Sequence, residues 1–141
     1  MTAEEMWKRS GLTGEYDAWA FGSDPGRHAE LVRKGIKTAT SSAFCFYEIE
    51  GEALPEPGEY SLILDSGDQA VCIIRTAKVY VTTFDQVTAQ HAAFREGEGD
   101  RSLEYWRDAH RKFFSDELSA IGQKFYDDLQ VVCEEFEVVW Q

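Results

Sequence analysis

Two short runs of this chain hold residue types that together perform proton transfer on a small polar substrate. The first, Gly35-Ile36-Lys37-Thr38-Ala39-Thr40, supplies an amine and hydroxyls, and the second, Glu96-Gly97-Glu98-Gly99-Asp100-Arg101-Ser102, supplies carboxylates on a glycine-loosened loop. An amine in a partly desolvated pocket gives up part of its preference for charge, so Lys37 is the candidate base or anion-orienting group. Thr40 is the candidate nucleophile or substrate-orienting hydroxyl, with Thr38, Ser41 and Ser42 as neighbouring substitutes. Glu98 is the candidate proton donor or acceptor, and Glu96, two residues away, is of the same type. In a regular strand Lys37 and Thr40 would point to opposite faces, so a shared site requires irregular backbone between them.

Other residues are candidates for holding a ligand. Arg101 has the fork geometry to clamp a phosphate or carboxylate, although the same position suits an exposed arginine at a helix start. Arg75, on an otherwise aliphatic strand face, needs either a carboxylate partner or exposure at the end of the sheet. Trp19, Phe21 and Trp106 have the flat faces that stack on a nucleobase, but aromatics so placed more often build core. His110 shares a stripe with Trp106 and Phe114 and reads as a packed, hydrogen-bonded core histidine. His28 and His91 have no partners at metal-ligand spacing, and neither a metal site nor a cofactor is expected.

The elements that must position these groups are visible in the pattern. A short polar helix over residues 3–9 is followed by a glycine-bounded turn and an aromatic entry segment, Tyr16, Trp19 and Phe21. Asp24-Pro25 opens a second helix, with Leu31 and Val32 on its apolar face, and Gly35 ends it just before Lys37. Ordinary strand propensity, or the capping of a helix starting near Ala43, also accounts for the hydroxyls of residues 38–42. After a loop with Pro55 and Pro57, Tyr60, Leu62 and Leu64 alternate as in a half-buried strand, Asp65-Ser66-Gly67-Asp68 forms a hairpin turn, and a second strand covers residues 71–82. A short helix over 85–95, a longer one from Leu103 to Leu118, and a closing strand through Val132, Phe136, Val138 and Trp140 complete the chain. Asp100 or Ser102 would cap the longer helix, with Glu104 in its first turn. Strands and helices alternate without βαβ regularity, which predicts an α+β fold with a largely antiparallel, barrel-like sheet.

Length and charge limit the function classes. A chain of 141 residues is enough for one conventional core, and no apolar run is long enough for a membrane-spanning helix. The start lacks a basic leader followed by an apolar stretch, so a cytoplasmic address is expected. Cys45, Cys72 and Cys133 are odd in number and widely separated, which suits small hydrophobes rather than disulfides or a zinc knuckle. The net charge of −12 repels extended nucleic acid, yet Arg27, Arg33, Lys34 and Lys37 gather around the first motif and Arg101, Arg107, Arg111 and Lys112 follow the second. A local basic rim on an acidic body is the expectation.

The Gly-x-Lys-x-x-Thr run at Gly35 to Thr40, with the segments Trp19 to Gly22, Glu96 to His110 and Val131 to Val139, resembles the activating signal cointegrator 1 homology domain, ASCH, in its single-domain bacterial form. The resemblance covers nearly the whole chain. It implies one domain over residues 1–141 with a helical N-terminal extension to about residue 20, and a PUA-like, mostly antiparallel β-barrel with helices outside. One bacterial amidohydrolase of the group removes the acetyl group of N4-acetylcytidine with a lysine, a threonine three positions later and a glutamate. Lys37 and Thr40 match the first two positions, and the glutamate falls on Glu98 or Glu96. Other members imply RNA recognition without catalysis, or RNA cleavage, so the implied ligand is a nucleoside or a short single-stranded RNA.

Overall fold

The computed structural model describes residues 1–97, 99 and 101–141, and of residues 93–95 the backbone only. Helix α1 (Ala3–Ser10) is closed at its start by a capping box, in which Thr2 Oγ1 accepts from Glu5 N and Glu5 Oε2 accepts from Thr2 N, both at 3.2 Å. Strand β1 (Asp17–Trp19) and helix α2 (Pro25–Arg33) follow, then β2 (Ala39–Ala43), α3 (Phe44–Glu50), β3 (Tyr60–Leu64) and β4 (Ala70–Thr83). A 3₁₀ turn (Phe84–Gln86), a π-helix (Gln90–Arg95), α4 (Leu103–Ser119) and β5 (Gln130–Trp140) complete the order.

One mixed sheet has the strand order β1-β3-β4-β5-β2. β3 and β4 pair antiparallel across the Asp65 to Asp68 turn, with Leu62 opposite Ile73, whereas β1 runs parallel to β3 with Ala18 opposite Leu62. The α+β expectation holds. The antiparallel ladder expected from the hairpin turn is present, and the parallel edge comes from the aromatic entry segment.

By contact the chain divides into two compact units. The first comprises Met1–Thr38, Pro55–Val79 and Glu134–Gln141, and the second Ala39–Leu54 and Tyr80–Cys133. In the first unit both faces of the β3-β4 hairpin are covered. Leu62 and Ile73 pack with Met6 and Trp7 of α1, while Ile63, Cys72 and Ile74 pack with Ala29 and Val32 of α2. Covering both faces explains why β3 is continuously buried where a half-buried strand would alternate: Ser61, Leu62 and Ile63 are all buried. In the second unit the core is aromatic. Phe84, Trp106, Phe114 and Leu118 pack around Leu129, Val131 and Cys133. Cys72 and Cys133 are fully buried and Cys45 half-buried, all as free thiols, and burial pushes Cys72 up to about 12.

Candidate functional site: a buried carboxylate between two histidines

Gly35 sets up the first motif. The C-terminal end of α2 closes with Gly35 at φ +75°, Gly35 N donating to Val32 O at 2.9 Å and Ile36 N to Leu31 O at 3.0 Å, the paired bonds of a Schellman motif. Lys37 N also reaches Leu31 O at 3.0 Å, so the backbone is pinned where the lysine leaves the turn. Lys37 is 1% exposed, and its Nζ lies 5.2 Å from the centroid of the Phe21 ring, a cation–π approach. Lys37 and Thr38 lie in irregular backbone before β2. Burial then alternates strictly: Lys37, Ala39, Ser41 and Ala43 are buried, while Thr38, Thr40 and Ser42 are half-buried. The buried hydroxyl of this stretch is therefore Ser41, and Thr40 occupies the opposite phase.

Ser41 leads to the polar centre of the second unit. Its Oγ donates to Glu96 Oε2 at 2.8 Å and lies 2.8 Å from His91 Nε2. Since the hydroxyl proton is spent on the carboxylate, His91 Nε2–H is the donor to Ser41 Oγ. His91 Nε2 is also 3.1 Å from Glu96 Oε2, and the indole Nε1–H of Trp106 donates to that same oxygen. On the other side His110 Nε2 stands 3.3 Å from Glu96 Oε1. Glu96 is wholly buried, and His91 is 1% exposed. A carboxylate removed from water this completely is tolerable only because donors converge on it.

The π-helix explains how His91 and Glu96 come to face each other. In an α-helix five residues turn through about 500°, leaving side chains i and i+5 roughly 140° apart. Here Glu96 N donates to His91 O at 3.0 Å, an i to i+5 bond, and the wider turn stacks residue 96 over residue 91. The same bond type recurs often at functional sites. α4 supplies the remaining donors: Ser102 Oγ accepts from Tyr105 N at 3.0 Å, fixing the helix start, and Trp106 and His110 fall one turn apart on its buried side. Trp106 is sandwiched between Phe84, stacked at 5.3 Å, and His110, stacked at 4.3 Å.

The charge state of His91 follows from these neighbours. Burial pulls its pKa down, but hydrogen bonding with Cys133 and Glu96 and the Glu96 charge outweigh this and raise it to about 9. Among the described residues Nδ1 has no hydrogen-bond partner, and the Glu96 carboxylate is the charged partner that the geometry places on Nε2. A folded-state pKa above the unfolded value of 6.5 stabilises the protein fully below about pH 6.5 and loses that stabilisation as pH rises through about 9. At one pH unit per 1.36 kcal/mol, the expected loss is about 3 kcal/mol. Thermal melting from pH 6 to 10 should show Tm falling across this window, and His91→Asn should flatten the fall. A Tm independent of pH would contradict an imidazolium at position 91.

The remaining sequence candidates are dispersed. Thr38 O accepts from Phe136 N at 3.0 Å just before β2 begins. Trp19 and Phe21 pack edge to face at 4.9 Å, with Phe21 also against His28, so both rings build core in the first unit. Arg75 is exposed and pairs with Glu137. Arg101 is exposed, with a left-handed φ of +62°. Glu98 lies outside the described residues. Glu134 is a second buried carboxylate: Thr76 Oγ1 donates to it at 2.7 Å, but burial still raises its pKa. Sequence reading placed His110 in the core and so missed its second role. The available signal was the i, i+4 spacing of Trp106 and His110 directly after an acidic loop. Among the described residues no group of three or more His, Cys, Asp and Glu is arranged to hold a metal ion, and no helix is long and apolar enough to cross a membrane.

Fold and site together define a small α+β protein with a buried carboxylate–histidine centre. A family model for the ASCH domain matches residues 17–140, and the chain belongs to the ASCH domain family. The ASCH domain from Lactobacillus crispatus JV V101 is 29% identical, with 98% of this chain and 94% of that chain covered at a TM-score of 0.91. A DUF984 protein from Enterococcus faecalis V583 is 37% identical, covering 97% of this chain and 85% of that one at a TM-score of 0.86. The structure of hypothetical protein PH0355, at 16% identity and a TM-score of 0.60, is similar in fold alone. These likenesses identify the architecture as the PUA-like α+β fold. A comparison with curated proteins finds no significant match.

Proposed function

We propose that this protein, acting as one ASCH domain over residues 1–141, binds a nucleoside or short RNA-derived ligand and hydrolyses an acylated nucleoside of the N4-acetylcytidine type. The observation that carries the reading is the buried Glu96 carboxylate held by Ser41, Trp106, His91 and His110, because a fixed carboxylate beside two imidazoles is equipped to move protons. In the roles that the resemblance implies, Thr40 Oγ attacks the amide carbonyl, Lys37 assists its deprotonation and stabilises the developing negative charge, and an acyl-enzyme ester forms. The carboxylate, Glu96 in preference to Glu98, delivers a proton to the departing amine, and water then releases the acid. The roles of Lys37 and Thr40 rest on the resemblance of the Gly35 to Thr40 run.

The test is turnover of a panel of acylated nucleosides by the wild-type chain, Lys37→Ala, Glu96→Gln and Glu98→Gln. Wild type should release free nucleoside, and Lys37→Ala and Glu96→Gln should each be slower by about 10²–10⁴-fold, the usual contribution of a proton-transfer group. Full activity in Glu96→Gln with loss in Glu98→Gln would move the acid role to Glu98. No turnover on any member, together with a salt-dependent shift of short single-stranded RNA, would replace the enzyme by a binding module.

A further inference from the structure

His110 faces two acceptors at once. Its Nδ1 lies 3.0 Å from Trp106 O, a carbonyl that only accepts, so Nδ1 carries a proton. Its Nε2 lies 3.3 Å from Glu96 Oε1, and that contact is attractive only with a further proton on the line between them. The two carboxylate oxygens are also unequal. Oε2 receives Ser41, Trp106 and His91, whereas Oε1 meets His110. The side chain of His110 is 12% exposed, against 1% for both His91 and Glu96. It is thus more exposed than the other two titratable members of the cluster, and its ring is fixed by stacking on Trp106 at 4.3 Å and by Phe114 at 5.7 Å.

We infer that His110 is a positioning residue that holds a shared proton on Glu96 Oε1 and couples the protonation of this buried carboxylate to the solvent. The proton travels from solvent to the imidazole and from Nε2 to Oε1, with no other bond made or broken. His91 has a different part: it clamps Oε2 together with Ser41. The titratable groups facing the His110–Glu96 pair include His91 on the π-helix and, beyond His91, Cys133 of β5 and Tyr80 of β4. The inference deepens the proposed function, because a carboxylate that gives up and regains a proton each cycle needs such a path.

The experiment follows carboxyl ¹³C of Glu96 and side-chain ¹⁵N of His110 by NMR through a pH titration of the full chain, in wild type, His110→Gln and His110→Asn. In wild type the two groups should titrate together, and in either variant the Glu96 midpoint should move by at least one pH unit. Separate, mutually independent midpoints in wild type would overturn the inference even if both variants failed to fold. Trp106 emission gives an independent reading, since a protonated imidazole stacked on indole quenches it. The pH step in wild-type emission should vanish in Trp106→Phe, and a step that persists there would count against the inference. On the acylated nucleosides, His110→Gln should lower kcat by at least tenfold with KM unchanged and displace the pH profile. Absence of wild-type turnover would end the amidohydrolase reading, while the titrations would still decide the role of His110.

Discussion

Glu96→Ala is expected to destabilise the protein by about 3–5 kcal/mol, the cost of removing one partner from a buried ion pair. The penalty comes from what is left behind. The His91 imidazolium, raised to about 9 in the folded state by Cys133 and Glu96 against the opposing effect of burial, would lose its carboxylate in a site that is 1% exposed. Ser41 and the Trp106 indole would each lose an acceptor at the same moment. Glu96→Gln keeps the volume and one acceptor oxygen, so it should cost only about 1–3 kcal/mol, the range for a buried hydrogen-bonding group left unsatisfied. Urea denaturation of both variants at pH 7 and pH 10 checks the cause: the Ala penalty should shrink at pH 10, where His91 is neutral. Equal penalties at the two pH values would show that packing, not charge, dominates.

The second large effect is at Trp106. Trp106→Ala removes the side chain stacked between Phe84 and His110 and should cost about 3–5 kcal/mol, as for other large aromatic truncations in a core. Trp106→Phe separates the two functions of the residue. It retains most of the stacking surface but deletes the Nε1–H that reaches Glu96 Oε2, for an expected cost of about 1–3 kcal/mol. Combined with Glu96→Gln in a double-mutant cycle, it should show a coupling energy of roughly 0.5–3 kcal/mol, whereas additive costs would mean that indole and carboxylate do not interact.

Much of the scaffold was legible because its signals are local. Pro25 and Gly35 bracket α2, the apolar spacing of Leu103 to Leu118 marks α4, and the Asp65 to Asp68 turn announces the β3-β4 hairpin. Asp24 reads as the N-cap of α2 and occupies that position, but at a left-handed φ of +44° it makes no side-chain cap bond and spends its carboxylate on Arg27. β1 was not legible, and β2 was legible only as one of two readings of residues 38–42. A three-residue edge strand has no period to detect, and Ala39–Ala43 carries small polar residues whose strand character depends on their neighbours in the sheet. The candidate site was half legible for a related reason. Its residue types were visible in the two opening runs, but Ser41 is set against His91 and Glu96 by folding across 50 and 55 positions. The π-helix was read as an ordinary short helix, because nothing in Gln90 to Arg95 distinguishes a bond to the fifth residue from one to the fourth.

That wider turn makes chain length itself a carrier of information. Surface connections such as residues 51–58 can gain or lose residues at small entropic cost. Between His91 and Glu96 the register is tighter: at this spacing ordinary helical winding would leave the carboxylate roughly 140° from its imidazole, and one residue more would leave it roughly 120° away. Insertions that are silent elsewhere in descent would here disconnect the centre, and a lineage that accepted one would have to recruit its acid from a new position. Relatives are therefore best aligned by counting outward from this turn rather than by matching the glutamates themselves.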